Sequence, residues 1–225
     1  MNSGRLLDLL FSIPAFVAAF TIHEFAHAWT ANRLGDDTPR RMGRLTLDPL
    51  VHLDPFGCLM LVMAALSGVP LLGWAKPVPF QPRNLQNPRI GSILVAIAGP
   101  ISNVLQTIVW VAALWIFRLV ADHNGLDWKA EMSLPWAIVM IMIIGITLNI
   151  NLAAFNMIPI PPLDGHYVLE GLGPPFITDI YNSIRPYSFL LLFLLIQTPF
   201  FNQILAPFDM LAMRIIYLAL GAPSY

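Results

Sequence analysis

Four apolar segments of the sequence are each long enough to cross a lipid bilayer, and they restrict the chain to a membrane-spanning fold. They cover about 6–32, 90–118, 132–158 and 187–220, and about 20 apolar residues suffice to span the hydrocarbon core as a helix. Only 11% of the 225 residues are charged, whereas soluble domains carry about 25%. The sequence therefore predicts an all-α integral membrane protein, a polytopic helical bundle surrounded by lipid.

The chain is short enough to form a single membrane-embedded domain, 1–225. We expect a core within 1–172 and a C-terminal helical block at 173–225. Pro199 and Pro207 interrupt the apolar run of this block. Since proline breaks or kinks a helix, the block predicts either one kinked span or a hairpin of two helices.

The loops between the spans predict their arrangement across the membrane. Seven Lys and Arg residues lie in 33–89 and two around 119–131, so the positive-inside rule places 33–89 in the cytoplasm and the N-terminus outside. Both ends of 33–89 then lie on one side, and the apolar stretch 56–73 is predicted to be a re-entrant segment. Alternating apolar and polar residues at 44–53 predict short β-strands on this cytoplasmic side, and the proline-rich 73–89 is expected to be extended.

Charge and cysteine content exclude two kinds of site. The net charge is −1 and the Lys and Arg residues are scattered, so the sequence predicts no nucleic-acid partner. Cys58 is the only cysteine, which excludes a thiolate metal cluster. Any bound metal must therefore use imidazole and carboxylate ligands. The sequence gives no prediction of oligomeric state.

The first predicted span contains the motif HEFAH at 23–27. Residues four apart lie on one face of a helix, so His23 and His27 can both reach one zinc ion at about 2.0–2.1 Å. Glu24 directly follows the first ligand and can accept a proton from a metal-bound water. Ionisable side chains within a membrane are costly, which favours a functional role over histidines used only for packing. The motif predicts metal-assisted hydrolysis with Glu24 as general base.

Asp164 is the candidate for a third zinc ligand, because a catalytic zinc ion needs three protein ligands and one open position. It follows the 132–158 segment in the string NMIPIPPLDGH, on the side of the membrane to which the charge pattern assigns HEFAH. Taken alone, PPLDG is equally typical of a surface turn. Together with HEFAH, it favours one zinc ion bound by His23, His27 and Asp164.

Amide side chains in the apolar helices are further candidates. Asn156 lies near the end of the 132–158 segment, and its amide can donate a hydrogen bond to an oxyanion or hold the substrate backbone. A packing hydrogen bond between helices is the equal alternative. Asn149 and Asn151 compete for similar roles and rank below Asn156. Asn103 can reach the same cavity, although the small residues around it favour a packing role.

These motifs together resemble the site-2 protease family of intramembrane zinc metalloproteases. The matching strings are HExxH at 23–27, GPxxN at 99–103, and the run from NxxP at 156–159 to LDG at 163–165. The similarity covers about 1–172, including the family's three-helix catalytic core. The strings GRLTLDPLVHLDPFG and GWAKPVPF are similar to those of compact prokaryotic members without a PDZ or CBS domain. His166 stands where many members have glycine.

The resemblance implies a zinc metalloendopeptidase that cuts transmembrane helices of other membrane proteins in regulated intramembrane proteolysis. It implies that His23, His27 and Asp164 bind the zinc ion, that Glu24 is the base, and that Asn156 assists the tetrahedral intermediate. It also implies a prokaryotic plasma membrane location, and the charge pattern places the site nearer the cytoplasmic face. The alternatives are a non-proteolytic zinc transporter or sensor, which does not need Glu24, and an inactive scaffold that binds membrane helices.

Overall fold

The computed structural model describes residues 3–67 and 74–221, and within these ranges the chain forms ten α-helices joined by short loops. In chain order they are α1 Ser3–Arg33, α2 Thr38–Arg41, α3 Pro49–His52, α4 Pro55–Ser67, α5 Pro88–His123, α6 Leu134–Asn156, α7 Gly165–Leu172, α8 Phe176–Ile184, α9 Ser188–Ile196 and α10 Pro199–Leu220.

Four of these helices are long and apolar enough to cross a membrane: Leu9–Arg33 within α1, and all of α5, α6 and α10. This confirms the predicted helical membrane protein. The exact starts of α5 and α6 depend on capping, which an average of hydropathy does not detect. The Asn87 side chain accepts a hydrogen bond from the backbone N–H of Ile90, and the Ser133 hydroxyl accepts one from that of Trp136.

The spans form a bundle in which α5 packs against both α1 and α6, and α10 packs against α5 and α6. A buried apolar cluster joins α5, α6 and α10; its members are Leu114, Val139, Ile146, Ile150, Ala212, Ile216 and Ala219. Pro199 begins α10 and Pro207 lies inside it without ending it. The C-terminal block therefore contains one span, preceded by the nine-residue α9, which at about 14 Å is too short to cross.

The prediction of short strands at 44–53 is wrong. This part of the described chain contains helix α3 and one isolated bridge, between Leu53 and Ala75. The carboxylate of Asp48 accepts a hydrogen bond from the backbone N–H of Leu50, and Pro49 occupies the first helical position. These local signals for a helix start outweigh the alternating pattern. Residues 74–81 contain no helix, as expected from their prolines.

The prediction that 56–73 is re-entrant falls partly outside the described residues. Helix α4 has 13 residues and is about 20 Å long, less than the hydrocarbon thickness of a bilayer. Residues 68–73 are not among those that the structure describes, so the re-entrant path stays a prediction.

Asp36 fastens the extended stretch 74–81 to the end of α1. Its side chain is fully buried and accepts hydrogen bonds from the hydroxyl and backbone N–H of Thr38, the backbone N–H of Gln81 and the amide of Asn84. Burial alone would raise the pKa of Asp36, but these hydrogen bonds to the carboxylate outweigh it and lower the pKa. The loop that borders the candidate site is therefore held by an ionised side chain.

Candidate metal centre

Two histidines of α1 and one aspartate that follows α6 converge on the side of the bundle where both helices end. The charge pattern predicts that this is the cytoplasmic side. The Nε2 atoms of His23 and His27, on successive turns of α1, lie 3.0 Å apart. Each lies 3.3 Å from Oδ2 of Asp164, in the turn between α6 and α7. Both imidazoles are buried. The structure thus brings together the three side chains that the sequence singles out as ligands.

The spacing of these atoms fits a zinc ion. A tetrahedral ion with ligands at about 2.0–2.1 Å holds its donor atoms about 3.3 Å apart. The Oδ2 atom of Asp164 is buried and has no hydrogen-bond partner among the described residues, so its lone pairs are available to a metal. These three residues also form the group of possible metal ligands found in the described chain. Three donors leave one tetrahedral position for water, as in catalytic zinc sites.

The protonation state of Asp164 suits this role. An aspartate side chain is ionised at neutral pH, and coordination of a metal ion favours the ionised form further. The side chain is a carboxylate at neutral pH, the form that binds a metal.

A backbone carbonyl fixes the tautomer of His27. Its Nδ1 lies 2.7 Å from the carbonyl oxygen of Val95 on α5. Because a carbonyl oxygen can only accept, Nδ1 must carry the hydrogen, and Nε2 then directs its lone pair at the metal position.

A chain of amides fixes the tautomer of His23 in the same way. Gly145 O accepts from Nδ2 of Asn149, whose Oδ1 accepts from Nδ2 of Asn103, both at 2.8 Å. The Oδ1 atom of Asn103 is thereby turned toward His23 and lies 2.6 Å from its Nδ1. The relay begins at the carbonyl oxygen of Gly145, which can only accept. This fixes which end of each asparagine amide donates and which end accepts along the relay. Nδ1 of His23 therefore donates, and its Nε2 is free for a metal.

Gly99 on α5 makes room for both imidazoles. A Cβ atom built on Gly99 would overlap Nε2 of His27 and the Cε1 and Nε2 atoms of His23. Gly99 and Asn103 are four residues apart and lie on one face of α5, so one face of this helix both approaches the histidines closely and hydrogen-bonds one of them.

Glu24 lies beside the metal ligands in a cavity of about 590 Å³. It is buried, and its Oε2 accepts a hydrogen bond of 3.0 Å from the backbone N–H of Val78. The extended stretch 74–81 thus anchors the carboxylate while also lining the cavity. One oxygen of the Glu24 carboxylate is therefore fixed by a backbone donor.

The three candidate amides of α6 have different surroundings. Asn156 lines the cavity, and its Nδ2 donates to the carbonyl of Leu152 at 3.0 Å. An amide nitrogen has two hydrogens, so one of them stays available to a substrate. Asn149 belongs to the His23 relay, and Asn151 instead donates to Asp209 on α10 at 2.7 Å.

His166 is a buried wall residue of the same cavity. Its Nδ1 lies 2.6 Å from the carbonyl oxygen of Leu163, and its ring packs on Tyr167 with centroids 3.9 Å apart. Burial lowers the pKa of His166, so the ring is neutral at neutral pH. The side chain that replaces the glycine common in the resembled family is therefore accommodated by packing.

Sequence reasoning missed four contacts of this centre. It assigned Asn103 to helix packing, ranked Asn149 low, and did not find the backbone groups of Val95 and Val78. The spacing of Gly99 and Asn103 was a usable signal for the role of Asn103, because a separation of four residues places both on one helix face. Backbone contacts between segments 50 or more residues apart leave no pattern in a single sequence.

The chain is similar to curated metalloproteases over most of its length. Each carries the name "Putative zinc metalloprotease", followed by YwhC or Rip2. The Bacillus subtilis YwhC is 37% identical over 196 residues, which cover 87% of this chain and 84% of that protein. Rip2 of Mycolicibacterium smegmatis is 28% identical, covering 85% of this chain and 68% of that protein. Rip2 of Mycobacterium tuberculosis H37Rv is 32% identical, covering 82% and 64%. No family model and no solved structure matches the chain.

Proposed function

Because the chain belongs to the site-2 protease family of zinc metalloproteases, we propose that it hydrolyses peptide bonds within or near the transmembrane segments of other membrane proteins. The observation that carries this proposal is the set of three donor atoms 3.0–3.3 Å apart beside Glu24, in a cavity bordered by membrane-spanning helices. A site for metal storage or transport has no need of a carboxylate fixed beside the ligands.

His23, His27 and Asp164 would hold one zinc ion. When bound, this ion supplies a Lewis acid that acidifies a water molecule and polarises the scissile carbonyl. The hydrogen bonds that the two Nδ1–H groups donate to Asn103 and Val95 keep both imidazoles in the tautomer that binding requires.

Glu24 acts as general base. It accepts a proton from the attacking water while the water oxygen forms a bond to the scissile carbonyl carbon. It then delivers this proton to the amide nitrogen as the carbon–nitrogen bond breaks. One water molecule is consumed, and a carboxyl and an amino terminus are formed. Val78 holds the Glu24 carboxylate in place through its backbone N–H, and Asn156 donates its second amide hydrogen to the developing oxyanion.

A helical substrate must unwind locally, since its carbonyl groups are engaged in intrahelical hydrogen bonds. The extended stretch 74–81 lines the cavity and can hold an unwound strand. The backbone N–H of Val78 donates to Glu24, and that of Lys76 donates to His52. Pro77 and Pro79 have no N–H, so the carbonyl groups of this stretch provide most of the pairing.

The positive-inside pattern supports an orientation with the N-terminus outside and the cavity open toward the cytoplasm. Water then reaches the metal ligands from the cytoplasmic side, and the exposed apolar surface of the spans faces lipid. Transmembrane proteins sharing this bilayer are the substrates.

Replacement of Glu24 tests the proposal. The zinc-loaded wild-type protein and its Glu24→Gln variant are placed in liposomes with a single-span substrate protein, and products are identified by mass spectrometry. We expect Glu24→Gln to bind one zinc ion per chain but to cut at least about a hundredfold more slowly. Glu131→Gln, in an exposed loop, is the matched control and retains activity. Undiminished cutting by zinc-loaded Glu24→Gln, or no cutting by the wild type, overturns the proposal.

A further inference from the structure

A carboxylate is exposed near the midpoint of α10, a helix predicted to cross the membrane. Asp209 lies about 15 Å from either end of this helix, and its side chain is exposed. Within the described residues its carboxylate has one polar contact, the 2.7 Å hydrogen bond that Oδ1 accepts from Nδ2 of Asn151. The other carboxylate oxygen has no donor there.

This position is energetically costly in a lipid bilayer. Ionisable residues within spans are rare because hydrocarbon does not solvate them, and they usually face protein or a water-filled cavity. One hydrogen bond from a neutral amide satisfies a small part of the acceptor capacity of a carboxylate, which has about four lone-pair sites. An exposed carboxylate at this depth therefore indicates a donor supplied by another molecule.

Asp209 lies at the depth of the metal centre, on the opposite side of α6. Asn149 and Asn151 are two positions apart on α6, so their side chains point in nearly opposite directions. Asn149 faces inward and hydrogen-bonds Asn103, which contacts His23. Asn151 faces Asp209. Helix α6 is thus the wall between the metal centre and this exposed carboxylate, and Asn156 of the same helix lines the cavity.

We propose that Asp209 and Asn151 form a docking site for the transmembrane helix of a substrate, which binds through a side-chain donor such as the ammonium group of lysine. This inference rests on the proposed proteolytic function. The acceptor chemistry of Asp209 selects a cationic or amide donor on the arriving helix. A second copy of this chain would bring another carboxylate to the same depth, and self-association is therefore one outcome that the test distinguishes.

Apolar side chains beside Asp209 complete the docking surface. Met213 lies one turn further along the same face of α10, Phe208 and Met210 flank Asp209, and all three are exposed. They offer the van der Waals contact on which association of membrane helices depends. A helix held here would carry its polar residue at about the depth of His23 but on the far side of α6, so this surface would bind an arriving helix before it enters the cavity.

Binding of synthetic helices tests the docking site without any need for hydrolysis. The probes are two labelled leucine–alanine transmembrane peptides that differ only in having lysine or leucine at the midpoint. Energy transfer to zinc-loaded Glu24→Gln protein in liposomes measures their affinities. We expect the lysine peptide to bind about three- to tenfold more tightly, and Asp209→Asn, added to Glu24→Gln, to remove this preference.

Asp209→Asn keeps an oxygen that accepts from Asn151, so it changes the charge while preserving the contact between α6 and α10. Met210→Leu is the control for an exposed neighbour and should keep the preference. Equal affinity for the two peptides, or an undiminished preference in Asp209→Asn, overturns the proposal. A change in dimer content caused by Asp209→Asn, with the peptide preference intact, also overturns it in favour of self-association. None of these binding results affects the test of Glu24, which measures substrate cleavage in a separate experiment.

Discussion

His23 and Asn103 are joined across α1 and α5 by a hydrogen bond of 2.6 Å between Nδ1 and Oδ1. Asn103 is fully buried, and its own amide donates to Asn149 at 2.8 Å. The amide chain therefore links the orientation of one imidazole to a third helix. Partners of this kind usually change metal affinity by about ten- to a hundredfold.

Loss of the Asn103 side chain should weaken zinc binding. We expect Asn103→Ala to lower zinc affinity about ten- to a hundredfold, because His23 loses the acceptor that fixes its tautomer. Asn149→Ala should act in the same direction but less strongly, and the double variant should resemble Asn103→Ala, since both act through one relay. Competition with a chelator measures the affinities.

Ser102→Ala is the control for Asn103. Among the residues that the structure describes, the Ser102 hydroxyl hydrogen-bonds a carbonyl of its own helix, that of Gly99, so zinc affinity should be unchanged. Wild-type affinity in Asn103→Ala, or strictly additive effects of Asn103→Ala and Asn149→Ala, would show that the relay does not position His23.

A side chain at Gly99 should disrupt the metal centre. A methyl group there would overlap both imidazoles, and α5 or α1 must shift to admit it. We expect Gly99→Ala to lose most of its bound zinc, measured by elemental analysis of the purified protein. Ala112→Leu adds more bulk on an exposed face of the same helix and should keep zinc. Full zinc content in Gly99→Ala would contradict this close packing.

The backbone N–H of Val78 should matter more than its side chain. Val78→Pro removes the donor to Glu24, and a hydrogen bond to a carboxylate is worth about 1.5–3 kcal/mol. We expect kcat to fall tenfold or more while zinc content is unchanged. Val78→Ala keeps the N–H and should keep most activity. Steady-state cleavage in liposomes measures both variants, and equal rates would mean that Glu24 needs no such anchor.

The membrane bundle was predictable from the sequence because about 20 apolar residues in a row leave few alternatives. The strands at 44–53 failed because Asp48 and Pro49 form a helix start that the alternating pattern concealed. His23 and His27 could be paired from helical spacing alone. Asp164 lies more than 100 residues away. It could be linked to the histidines only because the charge pattern predicts the same side of the membrane for both, and because of the family resemblance. The relay through Asn103 and Asn149 needs the relative rotation of three helices, which a single sequence does not contain.

Asp36 should make the loop beside the cavity sensitive to acid. Its pKa is lowered in the folded protein, so its stabilisation is complete above the usual aspartate pKa and is lost as the pH falls through the lowered value. We expect Asp36→Asn to reduce the free energy of unfolding by about 1–3 kcal/mol at neutral pH, and the difference from wild type to shrink in acid.

Thermal unfolding in detergent at several pH values measures this difference. Asp37→Asn is the matched control, because the neighbouring Asp37 side chain is exposed and pairs with Arg41 at the surface. Its effect should be small at every pH. A difference between wild type and Asp36→Asn that grows as the pH falls would contradict the assignment of an ionised, hydrogen-bonded Asp36.

The most direct test of the central claim is the mass of the products formed from a transmembrane substrate in water enriched with heavy oxygen. The zinc-loaded protein should release two fragments whose junction lies within or near the substrate's membrane segment, and the new carboxyl terminus should carry the heavy oxygen. Removal of zinc, or His27→Ala, should abolish both fragments. Fragments that persist without zinc, a junction in a distant soluble loop, or a carboxyl terminus without the label would contradict hydrolysis by Glu24 at the centre formed by His23, His27 and Asp164.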